Sequence, residues 1–74
     1  MKAILWSKYH CTHCDQAKSL LKRNGYEIEE RRIGDGYTKE ELLEAVPNAR
    51  TVPQIFIGEE YIGGLHELQI RISA

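Results

Sequence analysis

The sequence has little cysteine, little proline, no long apolar run and no excess of charge of one sign. Two cysteines and two prolines occur in 74 residues. Two cysteines can form only one bridge within the chain, so a densely cross-linked scaffold is excluded. No apolar stretch approaches the roughly 20 residues that a bilayer-spanning helix needs. Met1-Lys2 leads into only four apolar residues, Ala3 to Trp6, too few for the core of a secretory leader. The 10 basic and 11 acidic residues give a formal net charge of −1, which offers no footing for nucleic acid or an anionic membrane as partner. No repeat, linker or low-complexity segment is present. The expectation is one domain over residues 1–74, likened in size to chains that bury about 60% of their unfolded surface, and so with a thin core. The expected location is cytoplasmic and reducing, where a cysteine pair serves catalysis or metal binding more often than permanent cross-linking.

What is present is Cys11-Thr12-His13-Cys14, holding the only two cysteines. Ala3 to Trp6 reads as a strand buried on both faces. Ser7 to His10 reads as a loop. Cys14, Ala17, Leu20 and Leu21 recur at helical spacing from about Cys11 to Asn24, and Asn24-Gly25 stops that helix. Tyr26 to Ile33 is a charged strand suited to a sheet edge. Gly34-Asp35-Gly36 is a turn. Thr38 and Glu41 form a capping box for a second helix that ends near Val46, before Pro47. Pro53 to Ile57 and Tyr61-Ile62 make a hairpin about Gly58-Glu59-Glu60. Leu65 to Ile72 is a short last helix.

The order is therefore β-α-β-α-β-β-α, an α/β arrangement. The first βαβ unit sets two strands parallel, with a right-handed crossover. If the third strand lies antiparallel beside the first, Val52-Pro53 faces Cys11 across a small gap. Sites of α/β sheets lie beyond the carboxyl ends of the parallel strands, which is the same place.

A strand, a Cys-x-x-Cys and a helix in succession read as a thiol–disulfide exchange site. Exchange needs a thiolate. A helix N-terminus and a nearby ammonium, here Lys8, both favour one at Cys11. Cys14 falls one turn later on the apolar stripe, which separates a reactive sulfur from a sheltered one. His10, Cys11, His13 and Cys14, with His66, have zinc-ligand character. Crowded at one helix start they cannot all face one ion, so no metal is expected. Asp15 stands where haem attachment would need histidine.

Lys8-x-x-Cys11-x-x-Cys14, Thr51-Val52-Pro53-Gln54-Ile55-Phe56-Ile57 and Gly63-Gly64 together resemble the glutaredoxins, and the likeness runs from about residue 3 to residue 70. The resemblance implies a thioredoxin-like fold, a four-stranded mixed sheet flanked by three helices. It implies a monomeric thiol–disulfide oxidoreductase that reduces protein disulfides and glutathione mixed disulfides, with glutathione as co-substrate. Cys11 would be the nucleophile and Cys14 the resolving thiol. Lys8, His13, Thr51, Val52, Pro53, Gly63, Gly64 and Glu67 would line the glutathione site, and the bond before Pro53 would be cis. Arg50 is a further candidate partner for a ligand carboxylate. The chain departs from the family in having Thr12-His13 where Pro-Tyr is frequent, and Leu65-His66-Glu67 where an acidic residue usually follows Gly-Gly. Two alternatives stand beside this reading. One is a carrier reduced by thioredoxin reductase and serving ribonucleotide reductase. The other is a dimer that binds an iron–sulfur cluster with the help of glutathione.

Overall fold

Alternation of side chains along the first strand organises the molecule. The computed structural model describes residues 1–74, and in it β1 (Lys2–Lys8) sends Ala3, Leu5 and Ser7 to one face of a sheet and Ile4 and Trp6 to the other. A strand buried on both sides must be central, and β1 is: the order is β2-β1-β3-β4. β2 (Glu27–Ile33) runs parallel to β1, while β3 (Gln54–Ile57) and β4 (Glu60–Gly63) add antiparallel neighbours. With α1 (Thr12–Arg23), α2 (Lys39–Ala45) and α3 (Leu65–Ser73), this is the expected mixed sheet with three helices, in the expected order.

The two faces carry separate cores. Leu5, Leu21, Ile55 and Leu68 are fully buried between the sheet and α1 and α3. Each such side chain contributes about 1.5–3 kcal/mol through lost contact with water. Trp6, Leu42 and Val46 form the smaller core under α2. Arg31 lies over it, its guanidinium carbon 5.3 Å from the centroid of the Trp6 ring.

Two boundaries differ in an informative way. β1 continues through Ser7 and Lys8, which the sequence assigns to a loop, because they pair with Arg32 and Ile33 of β2. Ser7 is fully buried, and its hydroxyl donates to Glu30 Oε2 at 2.7 Å. The hydroxyl is tolerated inside because a carboxylate receives its proton. The capping box at Thr38 forms as read: Glu41 N–H donates to Thr38 Oγ1 at 3.2 Å, and Thr38 N–H donates to Glu41 Oε1 at 2.9 Å.

Charge on β2 does more than protect an edge. Glu30 accepts from Ser7, pairs with Lys18 of α1 at 2.6 Å and with Arg32 at 3.0 Å. Burial pushes its carboxyl up, but the bonds from Lys18, Ser7 and Arg32 outweigh that and hold it at about 2. A lowered carboxylate pKa contributes stability that is complete above the unfolded value, near 4.5, and is lost as pH falls towards about 2. Glu30→Gln is expected to cost about 2 kcal/mol at pH 7, and to flatten the decline in stability between those two pH values. Urea melts of both proteins across that range are the measurement. Parallel pH profiles would refute the assignment.

Candidate active site

The chain reaches the site through one unusual backbone position. His10 has φ 56°, in the left-handed region that side chains with a Cβ seldom adopt. The turn there reverses β1 and presents Cys11 in extended conformation as the N-cap of α1. Serine, threonine or aspartate normally caps with oxygen. Here sulfur does so: Cys14 N–H donates to Cys11 Sγ at 3.2 Å. Cys11 and Cys14 are joined as a disulfide with Cα atoms 5.2 Å apart. Cys14 is 3% exposed and lies on the same helix stripe as Ala17 and Leu21, whereas Cys11 is half-buried. The two sulfurs therefore differ in access and in backbone bonding.

Strand register brings the second segment to the sulfur. Trp6 pairs with Gln54, so the residues before Gln54 lie beside those after Trp6. The carbonyl oxygen of Val52 sits 3.9 Å from Cys11 Sγ. The Val52–Pro53 peptide is cis. Gln54 is a residue that sequence reasoning missed. Buried at the start of β3, it donates through Nε2 to Thr51 O at 2.8 Å and accepts from the Tyr61 hydroxyl at 2.6 Å. These bonds hold the Thr51–Pro53 segment in place. The available signal is one polar residue in the otherwise apolar run Val52-Pro53-Gln54-Ile55-Phe56-Ile57.

The third segment is the entrance to α3. Gly63 has φ 118°, and a Cβ there would stand 2.9 Å from Glu67 Cγ. Gly64 caps α3 without a side chain, and its N–H donates to Glu67 Oε1 at 2.8 Å. That bond, together with one from the backbone N–H of Glu67, lowers the carboxyl pKa and keeps it ionised. The sequence reading places Glu67 on the lining of the glutathione site. The structure turns one of its oxygens back onto the helix start, which leaves the other for a ligand.

A groove of about 630 Å³ runs between these segments, from His13 past Thr51, Val52 and Pro53 to Gly63, Gly64 and Glu67. A recess of about 480 Å³ opens round Cys11 and is bordered by Lys8, Thr12 and His13. The two share His13, Thr51 and Val52. Lys8, Cys11, His13, Thr51, Val52, Pro53, Gly63, Gly64 and Glu67 each line one or both, and Cys14 lies behind Cys11. Tyr61, His66 and Gln69 also line the groove, although the sequence did not single them out for it. Arg50 lies outside both, on the α2 side. No set of three or more His, Cys, Asp or Glu side chains converges as metal ligands would.

Chemically, the arrangement offers an accessible sulfur with a backbone N–H aimed at it, a sheltered second sulfur, and an exposed carbonyl edge beside an open groove. Comparison with known proteins accords with this. Residues 3–62 match the glutaredoxin family model, a match that stops just before Gly63-Gly64. Glutaredoxin 3 of Escherichia coli K12 is 36% identical over 64 residues, covering 86% of this chain and 77% of that protein. Among solved structures, glutaredoxin 1 of Francisella tularensis, crystallised with cacodylate, superposes with a TM-score of 0.81 at 28% identity, covering 97% of this chain and 92% of that one. A buckwheat glutaredoxin–glutathione complex superposes with a TM-score of 0.71 at 28% identity, covering 96% and 67%.

Proposed function

The chain belongs to the glutaredoxin family of thiol–disulfide oxidoreductases, and from that premise we propose that glutathione is its electron donor, with glutathione mixed disulfides and protein disulfides as its substrates. The observation that carries the reading is the position of Cys11 Sγ, 3.9 Å from the Val52 carbonyl oxygen at the mouth of the groove. An extended peptide lying along Val52 pairs its own backbone there, as an added strand does. Glutathione is such a peptide. Its glutamyl carboxylate suits the start of α3, where backbone N–H groups and the helix dipole favour an anion. Lys8 is the cation beside the sulfur for the other carboxylate, and the free oxygen of Glu67 is the acceptor for the amino group.

In deglutathionylation the Cys11 thiolate attacks the glutathione sulfur of a mixed disulfide. A Cys11–glutathione disulfide forms, and the substrate leaves as a thiolate that takes a proton from water. The thiolate of a second glutathione then attacks the bound glutathione sulfur, giving oxidised glutathione and freeing Cys11. With a protein disulfide, Cys11 bonds to one substrate sulfur and releases the other. Cys14 then attacks Cys11 Sγ, which frees the reduced substrate and leaves the Cys11–Cys14 bridge. Two glutathiones reduce that bridge. Each exchange breaks one S–S bond and makes one.

The bridge state fits the role: the Cys14 N–H already points at Cys11 Sγ and is in place to stabilise negative charge there when the bridge opens. The test is one assay with two reductants. Reduction of a glutathionylated peptide is expected to proceed with glutathione, NADPH and glutathione reductase, and to be negligible with NADPH and thioredoxin reductase. The reverse preference would reject glutathione as donor.

A further inference from the structure

The turn that delivers Cys11 is not held by its own side chain. His10 sits at φ 56°, a left-handed conformation, and is exposed. A residue other than glycine persists there only when its surroundings fix it. The neighbour placed to do so is Tyr9, which the mechanism above does not use. Tyr9 is 50% exposed and belongs to neither core. Its ring instead receives the Arg32 guanidinium, whose carbon lies 5.0 Å from the ring centroid. Arg32 stands opposite Ser7 in the pairing of β1 with β2, and it donates to Glu30 Oε2 at 3.0 Å. Glu30 in turn accepts from the Ser7 hydroxyl and pairs with Lys18 of α1 at 2.6 Å. One carboxylate thus ties together the end of β1, the flank of α1 and, through Arg32, the residue just before the turn.

We propose that Tyr9 and Arg32 form a clamp that holds the His10 turn and so positions Cys11 in the reduced enzyme. The inference rests on Cys11 as the nucleophile and deepens that reading, whichever reductant serves it. In the oxidised protein the bridge to Cys14 also anchors Cys11. Opening the bridge removes that anchor, and the turn becomes the main restraint on where the free sulfur sits. A cation over an aromatic face gives an attraction comparable with the cost of one left-handed residue, so the clamp is strong enough to decide the turn. Without it the chain at His10 relaxes to extended conformations, and Cys11 moves away from the start of α1 and from Lys8. Tyr9 and Arg32 line neither the groove nor the recess, so they are positioning residues that act through the turn.

The test follows alkylation of Cys11 by iodoacetamide against pH in Cys14→Ser, where Cys11 is the only thiol. The charged and titratable groups round that sulfur are Lys8 at the end of β1, His10 in the turn and His13 on α1, and the Thr51-Val52 segment adds none. Adding Tyr9→Ala is expected to raise the midpoint by about one unit, as the thiolate loses the helix start and Lys8. Tyr9→Phe keeps the aromatic face and should hold the midpoint within about 0.2 unit of the parent. Glycine adopts the left-handed turn unaided, so in a His10→Gly background Tyr9→Ala is expected to move the midpoint by no more than about 0.2 unit. That comparison leaves the His10 charge out of the difference, and a general loss of structure would not be repaired by glycine. An unmoved midpoint in Tyr9→Ala, an equal shift in Tyr9→Phe, or a full shift retained in the His10→Gly background would each overturn the proposal. If the midpoints move as expected while glutathione supports no turnover, the choice of donor fails and the clamp stands.

Discussion

Cys11→Ser is expected to lower glutathione-dependent reduction of both mixed disulfides and protein disulfides by at least about a thousandfold. The hydroxyl keeps the cap, since serine accepts well from the N–H at the third helical position, so the fold should be preserved. What disappears is the chemistry. A serine hydroxyl is not ionised at neutral pH and forms no bond to sulfur that the cycle can turn over. Circular dichroism separates the two effects: an unchanged melt with abolished turnover assigns Cys11 as nucleophile. Retained turnover with either substrate would end that assignment.

Cys14→Ser should separate the two activities rather than remove both. Without a second sulfur, a substrate protein captured on Cys11 can be released only by an external thiol, so protein-disulfide reduction is expected to fall by at least about a hundredfold. Deglutathionylation needs only Cys11 and a second glutathione, and should stay within about threefold of the parent. Cys14 is 3% exposed, so the serine hydroxyl is buried at the helix start and is expected to cost about 1 kcal/mol of stability. Parallel assays on a glutathionylated peptide and on a protein disulfide read the split. Equal losses on both substrates would mean that Cys14 does more than resolve.

Much of this was legible in the sequence, for reasons that can be located. Strand β1 shows because it is buried on both faces and so reads as a plain apolar run, and β2 shows as an edge because its charges would be costly at the centre. The start of α2 is written in Thr38 and Glu41, whose side chains and backbones bond reciprocally as their spacing requires. The disulfide pair was legible from residue type and spacing, at Cys11 and Cys14, whereas the cis bond before Pro53 was expected only from the family resemblance. The site was not legible where function depends on tertiary placement. Ser7 reads as a loop residue until Glu30, 23 positions later, is found beneath its hydroxyl. Gln54 gains its role from Thr51 and Tyr61, which meet it only once the hairpin has formed. Glu67 has the composition of a ligand contact, but one oxygen closes the start of its own helix, because a glutamate three residues after the cap reaches back to it. The left-handed turn at His10 has no marker at all, since glycine would be its usual signal.

The central claim is that the groove beside Cys11 recognises glutathione and thereby directs attack to the glutathione sulfur. The most direct measurement is the intact mass of Cys14→Ser after brief mixing with a neutral glutathionylated peptide and an acid quench. The account predicts glutathione bonded to Cys11 and the peptide released as a free thiol. Peptide bonded to Cys11, with glutathione released, would contradict it.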